Sequence, residues 1–148
     1  MDIGKDFKEF IELLNKHNAE YLVVGGYAVA LHGYPRYTGD IDFWVKPTVE
    51  NAKKIISTLI EFGFEGYDIS ESDFLKKDSV VQLGYPPNRI DIITGITGVN
   101  FEECYKSRKE IYAEKIKINF ISLHHLRLNK KAAGRDRDIT DLNNLPNE

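Results

Sequence analysis

Two short runs carry residue types that can do chemistry together: Gly25-Gly26 and, beyond residues 27–39, Asp40-Ile41-Asp42. Side chains at i and i+2 of a strand share a face. Asp40 and Asp42 therefore project together, while Ile41 and Phe43 turn toward a core. Two bare carboxylates side by side repel, and one tends to take up a proton unless a cation removes the conflict. Mg2+ suits such a place, since it favours oxygen ligands, few carboxylates and substrate phosphates. A lone D-x-D more often marks the solvated face of an edge strand; here Gly25-Gly26 argues for a site. The pair lies after an apolar run and before a helical one, where backbone can approach a phosphate with a helix N-terminus behind it.

A third acid, Asp91, stands between Ile90 and Ile92 in a β-prone stretch. Alternation puts both isoleucines on a core face and Asp91 on the opposite one. If this strand neighbours the first, three carboxylates converge, as a two-metal phosphoryl or nucleotidyl transfer site requires, and Asp91 can also help deprotonate an acceptor hydroxyl. Arg127, Lys131 and Arg135 recur every four residues, which aligns them on one helical face if the helix runs that far, with Lys130 beside it. Such a face suits a triphosphate or an RNA end. Arg36, in the loop entering Asp40, is placed for phosphate contact. Trp44 shares the parity of the two aspartates and either floors a nucleotide pocket or packs against a helix. Adjacent His124 and His125 diverge on a helix and read as surface or cap residues, and Cys104 reads as a packed small side chain.

The elements that must position these residues are legible in outline. Phe7, Phe10, Ile11 and Leu14 form one apolar helical stripe ending near Asn18. Residues 21–24 read as a buried strand, 27–31 as a helix broken by Gly33-Tyr34-Pro35-Arg36, and 40–45 as a second strand. Pro47-Thr48 opens a helix with Ala52, Ile55, Ile56 and Leu59 on one face, ending before Gly63. Residues 79–83 and 89–94 suggest a hairpin with a longer loop. A short helix over 101–106 and strands over 111–113 and 117–121 follow. Ser122 caps a helix through Ala133 that Gly134 stops, and 138–145 form a last short helix. The expected fold is α+β: a small mixed sheet flanked by helices in a single domain, 1–148.

Composition narrows the field. The 148 residues carry a formal net charge of −3, 42% apolar and 29% charged residues, and one cysteine. That is an ordinary globular balance, and a nucleic-acid coat protein would be basic overall. The lone Cys104 rules out an internal disulfide and fits a reducing cytoplasm. No apolar run approaches the roughly 20 residues that span a bilayer, and the first ten residues carry no apolar signal core.

Val24-Gly25-Gly26, the spacer and Asp40-Ile41-Asp42-Phe43 resemble the signature of the nucleotidyltransferase superfamily. Arg36-Tyr37-Thr38-Gly39-Asp40-Ile41-Asp42 is similar to the R-x-T-x-D-x-D form of its small bacterial and archaeal members. The tail, from Ile121-Ser122 through Lys130-Lys131 and Arg135 to Asp138 and Asp141-Leu142, resembles their C-terminal helices. The resemblance implies a polymerase-β-like fold, a nucleoside triphosphate donor and Mg2+ or Mn2+. It further implies attack of an acceptor hydroxyl on the α-phosphate with release of pyrophosphate. By motif position, Asp40, Asp42 and Asp91 would hold metal and form the catalytic set. Gly25, Gly26, Arg36, Thr38, Lys130 and Arg135 would bind nucleotide and phosphate. The acceptor stays open between an RNA end such as tRNA, a partner protein and a small molecule, and the oligomeric state is open too. The alternative within the family is a catalytically inactive binding partner, for example in a toxin–antitoxin pair. A sugar-nucleotide glycosyltransferase also uses D-x-D but needs a larger doubly wound sheet than this chain offers. A domain without any site makes the glycines and three acids separate coincidences.

Overall fold

The computed structural model describes residues 3–148. Helix α1 (Lys5–Lys16) buries the predicted stripe of Phe7, Phe10, Ile11 and Leu14. It leads into β1 (Tyr21–Val24), which is buried on both faces. Helix α2 (Gly25–Leu31) begins at the glycines themselves rather than after them, and β2 (Ile41–Val45) follows the loop carrying Arg36. Thr48 caps α3 (Val49–Leu59) by accepting a hydrogen bond from the Asn51 amide. The chain then runs on through a wider turn, Ile60–Phe64, in which Gly63 adopts φ +110°. A 3-10 turn, Glu71–Phe74, precedes the hairpin of β3 (Val80–Leu83) and β4 (Ile90–Ile93). Next come α4 (Phe101–Lys106), the hairpin of β5 (Lys109–Ala113) and β6 (Ile116–Phe120), then α5 (Leu123–Ala133) and α6 (Asp136–Asn144).

The six strands form one mixed sheet in the order β3-β4-β2-β1-β6-β5. The centre is the antiparallel pair β1–β2, flanked by parallel pairings of β2 with β4 and β1 with β6. Alternation along β2 sorts its side chains onto the two faces. Phe43 meets Phe10 of α1 at 5.3 Å and Tyr21 at 5.8 Å between ring centroids. Trp44, on the other face with Asp42, meets Phe101 of α4 edge-on at 5.1 Å. Of the two places considered for Trp44, burial against a helix is the one it takes: it is 2% exposed, and its buried indole N–H has no hydrogen-bond partner among the described residues. Cys104 is fully buried, as its small apolar character suggests. Among the described residues, no helix is long and apolar enough to cross a membrane.

Candidate active site

The parallel pairing of β2 with β4 sets Ile41 opposite Ile90 and Asp42 opposite Asp91. The isoleucines fill the core, so the two acids share the other face as direct cross-strand neighbours. Asp91 is buried, at 7% exposed, and Asp42 is half-buried. Burial pushes the Asp42 carboxyl up to about 7, with the charge of Asp91, a hydrogen bond to Asp91 and the charge of Asp40 adding in the same direction. Desolvation and like charge both favour the protonated form, so Asp42 is poised to take up a proton near neutrality.

Asp40 stands just before β2 and is tied to the same cluster by Arg89. The Arg89 side chain donates from Nε to Asp91 Oδ1 at 2.7 Å and from Nη2 to Asp91 Oδ2 at 3.0 Å. Nη2 also lies 3.3 Å from Asp40 Oδ2, and the Arg89 backbone N–H donates to Asp40 Oδ1 at 3.1 Å. The guanidinium thus stands between two of the three acids as a built-in cation. Among the described residues, no group of three or more His, Cys, Asp or Glu side chains is gathered as a ready-made metal cage. Arg89 escaped the sequence reading, although its i, i+2 spacing from Asp91 was the signal that would have found it.

Gly25 and Gly26 turn the chain directly above this cluster. Gly25 has φ +65°, and a Cβ there would run into the Asp42 carboxylate. A Cβ on Gly26 would press on Thr38 and stand 3.5 Å from Arg36 Nη1. Missing side chains therefore make room where backbone, Asp42, Thr38 and Arg36 converge. Thr38 Oγ1 donates to the Asp40 carbonyl at 3.3 Å, which ties the loop to the start of β2. These residues line a cavity of about 710 Å³ that Asp40, Asp91, Arg89, Lys130, Arg135 and Arg137 also border. A void of this size suits a small molecule or nucleotide.

The continuous basic face does not form. Gly134 takes the left-handed conformation, φ 64°, and ends α5 at Ala133, so Arg135 becomes the residue that caps α6. Arg127 instead reaches the carbonyls of Leu142 and Pro146. Lys130 is buried, and its Nζ lies 3.2 Å from Asp138 Oδ1 and 3.0 Å from Asp141 Oδ2. Arg135 Nε donates to Asp138 at 2.7 Å, and Arg36 grips Asp141 with Nε and Nη2 at 2.9 and 3.0 Å. Burial alone would raise the Asp138 carboxyl, but hydrogen bonds from Arg135 and Lys130 outweigh it and hold it at about 2. Asp141 is likewise held low against its burial by Arg36 and Lys130. Arg36, Lys130 and Arg135 thus all reach the cavity, each already paired with an acid. Arg137, exposed on the first turn of α6, borders the cavity without an acid partner among the described residues. Its charge pulls against the rise at Asp42. Neither Arg137 nor the Asp138–Asp141 pair was singled out as site machinery from sequence. The histidines stand apart: His125 shares Ser122 and Ser107, and His124 meets Glu148.

A sequence profile of the family described as nucleotidyltransferase of unknown function (DUF6036) matches residues 5–145. No curated protein matches the chain in sequence. Among solved structures, a nucleotidyltransferase candidate from Thermotoga maritima (TM1012) is 19% identical, with a TM-score of 0.63 over 93% of this chain and 88% of that one. The lincosamide antibiotic adenylyltransferase LnuA, solved with lincomycin bound, is 18% identical, with a TM-score of 0.56 over 96% and 95% of the two chains. At such identities the likeness is one of fold.

Proposed function

The chain belongs to this DUF6036 family of nucleotidyltransferases, and on that premise we propose that it moves a nucleoside monophosphate from a nucleoside triphosphate to an acceptor hydroxyl, releasing pyrophosphate. The observation that carries the reading is the register pair Asp42–Asp91 lying beneath the Gly25 turn.

A divalent ion fits the chemistry of this donor set. The donors are carboxylate oxygens, and a positive charge, the Arg89 guanidinium, already stands between Asp40 and Asp91. Asp40, Asp42 and Asp91 would hold Mg2+ or Mn2+, which when bound supplies charge neutralisation for the triphosphate. Gly25 and Gly26 let donor phosphates approach the backbone. Thr38, Arg36 and Arg137 offer donors along that path, while Lys130 and Arg135 add positive potential at the α5–α6 wall. Asp91 takes the acceptor proton as the acceptor oxygen bonds to the α-phosphorus and the bond from that phosphorus to the pyrophosphate oxygen breaks.

The acceptor is an RNA end, a protein or a small molecule, and one experiment covers all three. The protein is incubated with each α-labelled nucleoside triphosphate, Mg2+ or Mn2+, and separate pools of total RNA, protein and hydroxylated small molecules, lincosamides among them. Label entering one pool with wild type, and lost in both Asp42→Asn and Asp91→Asn, supports the reading. No transfer to any pool, or transfer that survives both substitutions, overturns it. Triphosphate binding itself should depend on the divalent ion and weaken sharply in Asp42→Asn.

A further inference from the structure

The three nitrogens of the Arg36 guanidinium are used unequally. Nε and Nη2 are spent on the two oxygens of Asp141. Nη1 has no protein partner among the hydrogen bonds of the described residues, and it is the nitrogen that faces Gly26, 3.5 Å from where a Cβ would stand. Asp141 is 1% exposed and does not border the cavity, so it reaches a ligand only through the residues it holds. We infer that Asp141 is a positioning residue: it grips the Nε–Nη2 edge of Arg36 so that Nη1 is presented over the Gly25–Gly26 turn to a phosphate of the donor. This rests on the nucleotidyltransferase reading above.

Three features support it. A free arginine in a loop has much rotamer freedom to lose on binding, and a bidentate carboxylate removes that freedom beforehand. Asp141 is itself anchored, since Lys130 Nζ lies 3.0 Å from its Oδ2 and also holds Asp138. The cluster is also unbalanced: Arg36, Lys130 and Arg135 are three cations, Asp138 and Asp141 are two acids, and one positive charge remains. A structural ion-pair ladder gains nothing from a surplus cation with an idle edge turned to a cavity. A tetrahedral oxyanion meets both the surplus charge and the idle donors.

The test is a double-mutant cycle on triphosphate affinity, read by calorimetry with Mg2+, with melting temperature followed in parallel. Asp141→Asn should weaken binding roughly tenfold, the size expected when a preorganised side chain regains its rotamers. It should add nothing further in an Arg36→Ala background. Arg36→Lys keeps the charge but lacks the paired Nε and Nη2 donors that Asp141 grips, and it should weaken binding to a similar degree, which decides the matter if Asp141→Asn does not fold. In turnover, KM for the triphosphate should rise more than kcat falls. A lower melting temperature with unchanged affinity in Asp141→Asn would make the contact purely structural and overturn the inference. So would full additivity of the two substitutions. Wild-type protein that binds no triphosphate would overturn the nucleotidyltransferase reading as well; wild type that binds, with both variants binding equally, overturns this inference alone.

Discussion

The carboxylates of Asp42 and Asp91 face each other as register partners in a parallel strand pair, and among the described residues Asp91 has an ion-pair partner, Arg89, while Asp42 has none. Burial first, and the charge of Asp91 next, lift Asp42 to about 7 from an ordinary 3.8. The native state therefore binds more protons than the unfolded chain between about pH 4 and 7, and stability falls as pH rises across that window. Asp42→Asn removes this titration. In urea unfolding at pH 8 without divalent ions it should exceed wild type by about 4 kcal/mol, at about 1.4 kcal/mol per pKa unit. The gain should vanish near pH 4, and label transfer should be lost throughout. A variant no more stable than wild type at pH 8 would contradict the geometry.

Gly25→Ala should destabilise the protein through two separate effects. A non-glycine residue at φ +65° carries about 1–3 kcal/mol of backbone strain, and the new methyl meets the Asp42 carboxylate. Urea unfolding should register a loss of at least that strain, and calorimetry should show triphosphate binding much reduced. Asp42→Ala in the same chain relieves the clash and should recover part of the stability without recovering binding.

Local signals read well from sequence because their causes are local. Ser122 accepts a hydrogen bond from the His125 amide, and Gly134 turns left-handed where α5 stops, as cap chemistry demands. Thr48 does the same for α3. Beyond Leu59 the reading missed the wide turn, since Phe62 stacks edge-on against Phe10, a contact far away in sequence. The site reading already set the strand of Asp91 beside that of Asp40 and Asp42, as the β2–β4 pairing has it, but the order of the other strands was hidden, because it is decided by the whole sheet. In the site, the spacing of Asp40 and Asp42 was visible, whereas the partners of Arg36 and Lys130 were not. Asp141 lies 105 residues from Arg36, and no period in the sequence links them.

Lys130→Met should be among the most damaging single changes. It leaves Asp138 and Asp141, both 1% exposed, short of a shared cation. Removing one partner from a buried ionic cluster costs about 3–5 kcal/mol. The loss should shrink in acid. Asp138 is held at about 2, below the ordinary carboxylate value, so the cluster's stabilisation is present above about pH 4 and lost as pH falls toward 2. Unfolding curves of wild type and Lys130→Met should converge across that window. Parallel curves down to pH 2 would show that the cation is not what stabilises these acids.

Arg89 supplies the last prediction, and it separates a cation site from a static ion pair. Its guanidinium bonds both oxygens of Asp91 and approaches Asp40, so a divalent ion using those oxygens competes with it directly. Removing Arg89 then has opposite effects on the two states. Without divalent ions, Arg89→Met leaves a buried Asp91 beside Asp42 without its ion-pair partner, and stability at pH 8 should fall. With Mn2+, the competitor is gone and the carboxylates are more negative as a group. Affinity should rise, by about tenfold or more. Mass action on the native state then predicts a larger Mn2+-induced rise in melting temperature for the variant than for wild type. Titration of Mn2+ by electron paramagnetic resonance reads the affinity without any need for turnover. Weaker or unchanged Mn2+ binding in Arg89→Met would mean that these oxygens serve Arg89 alone and that the acids are not a cation site.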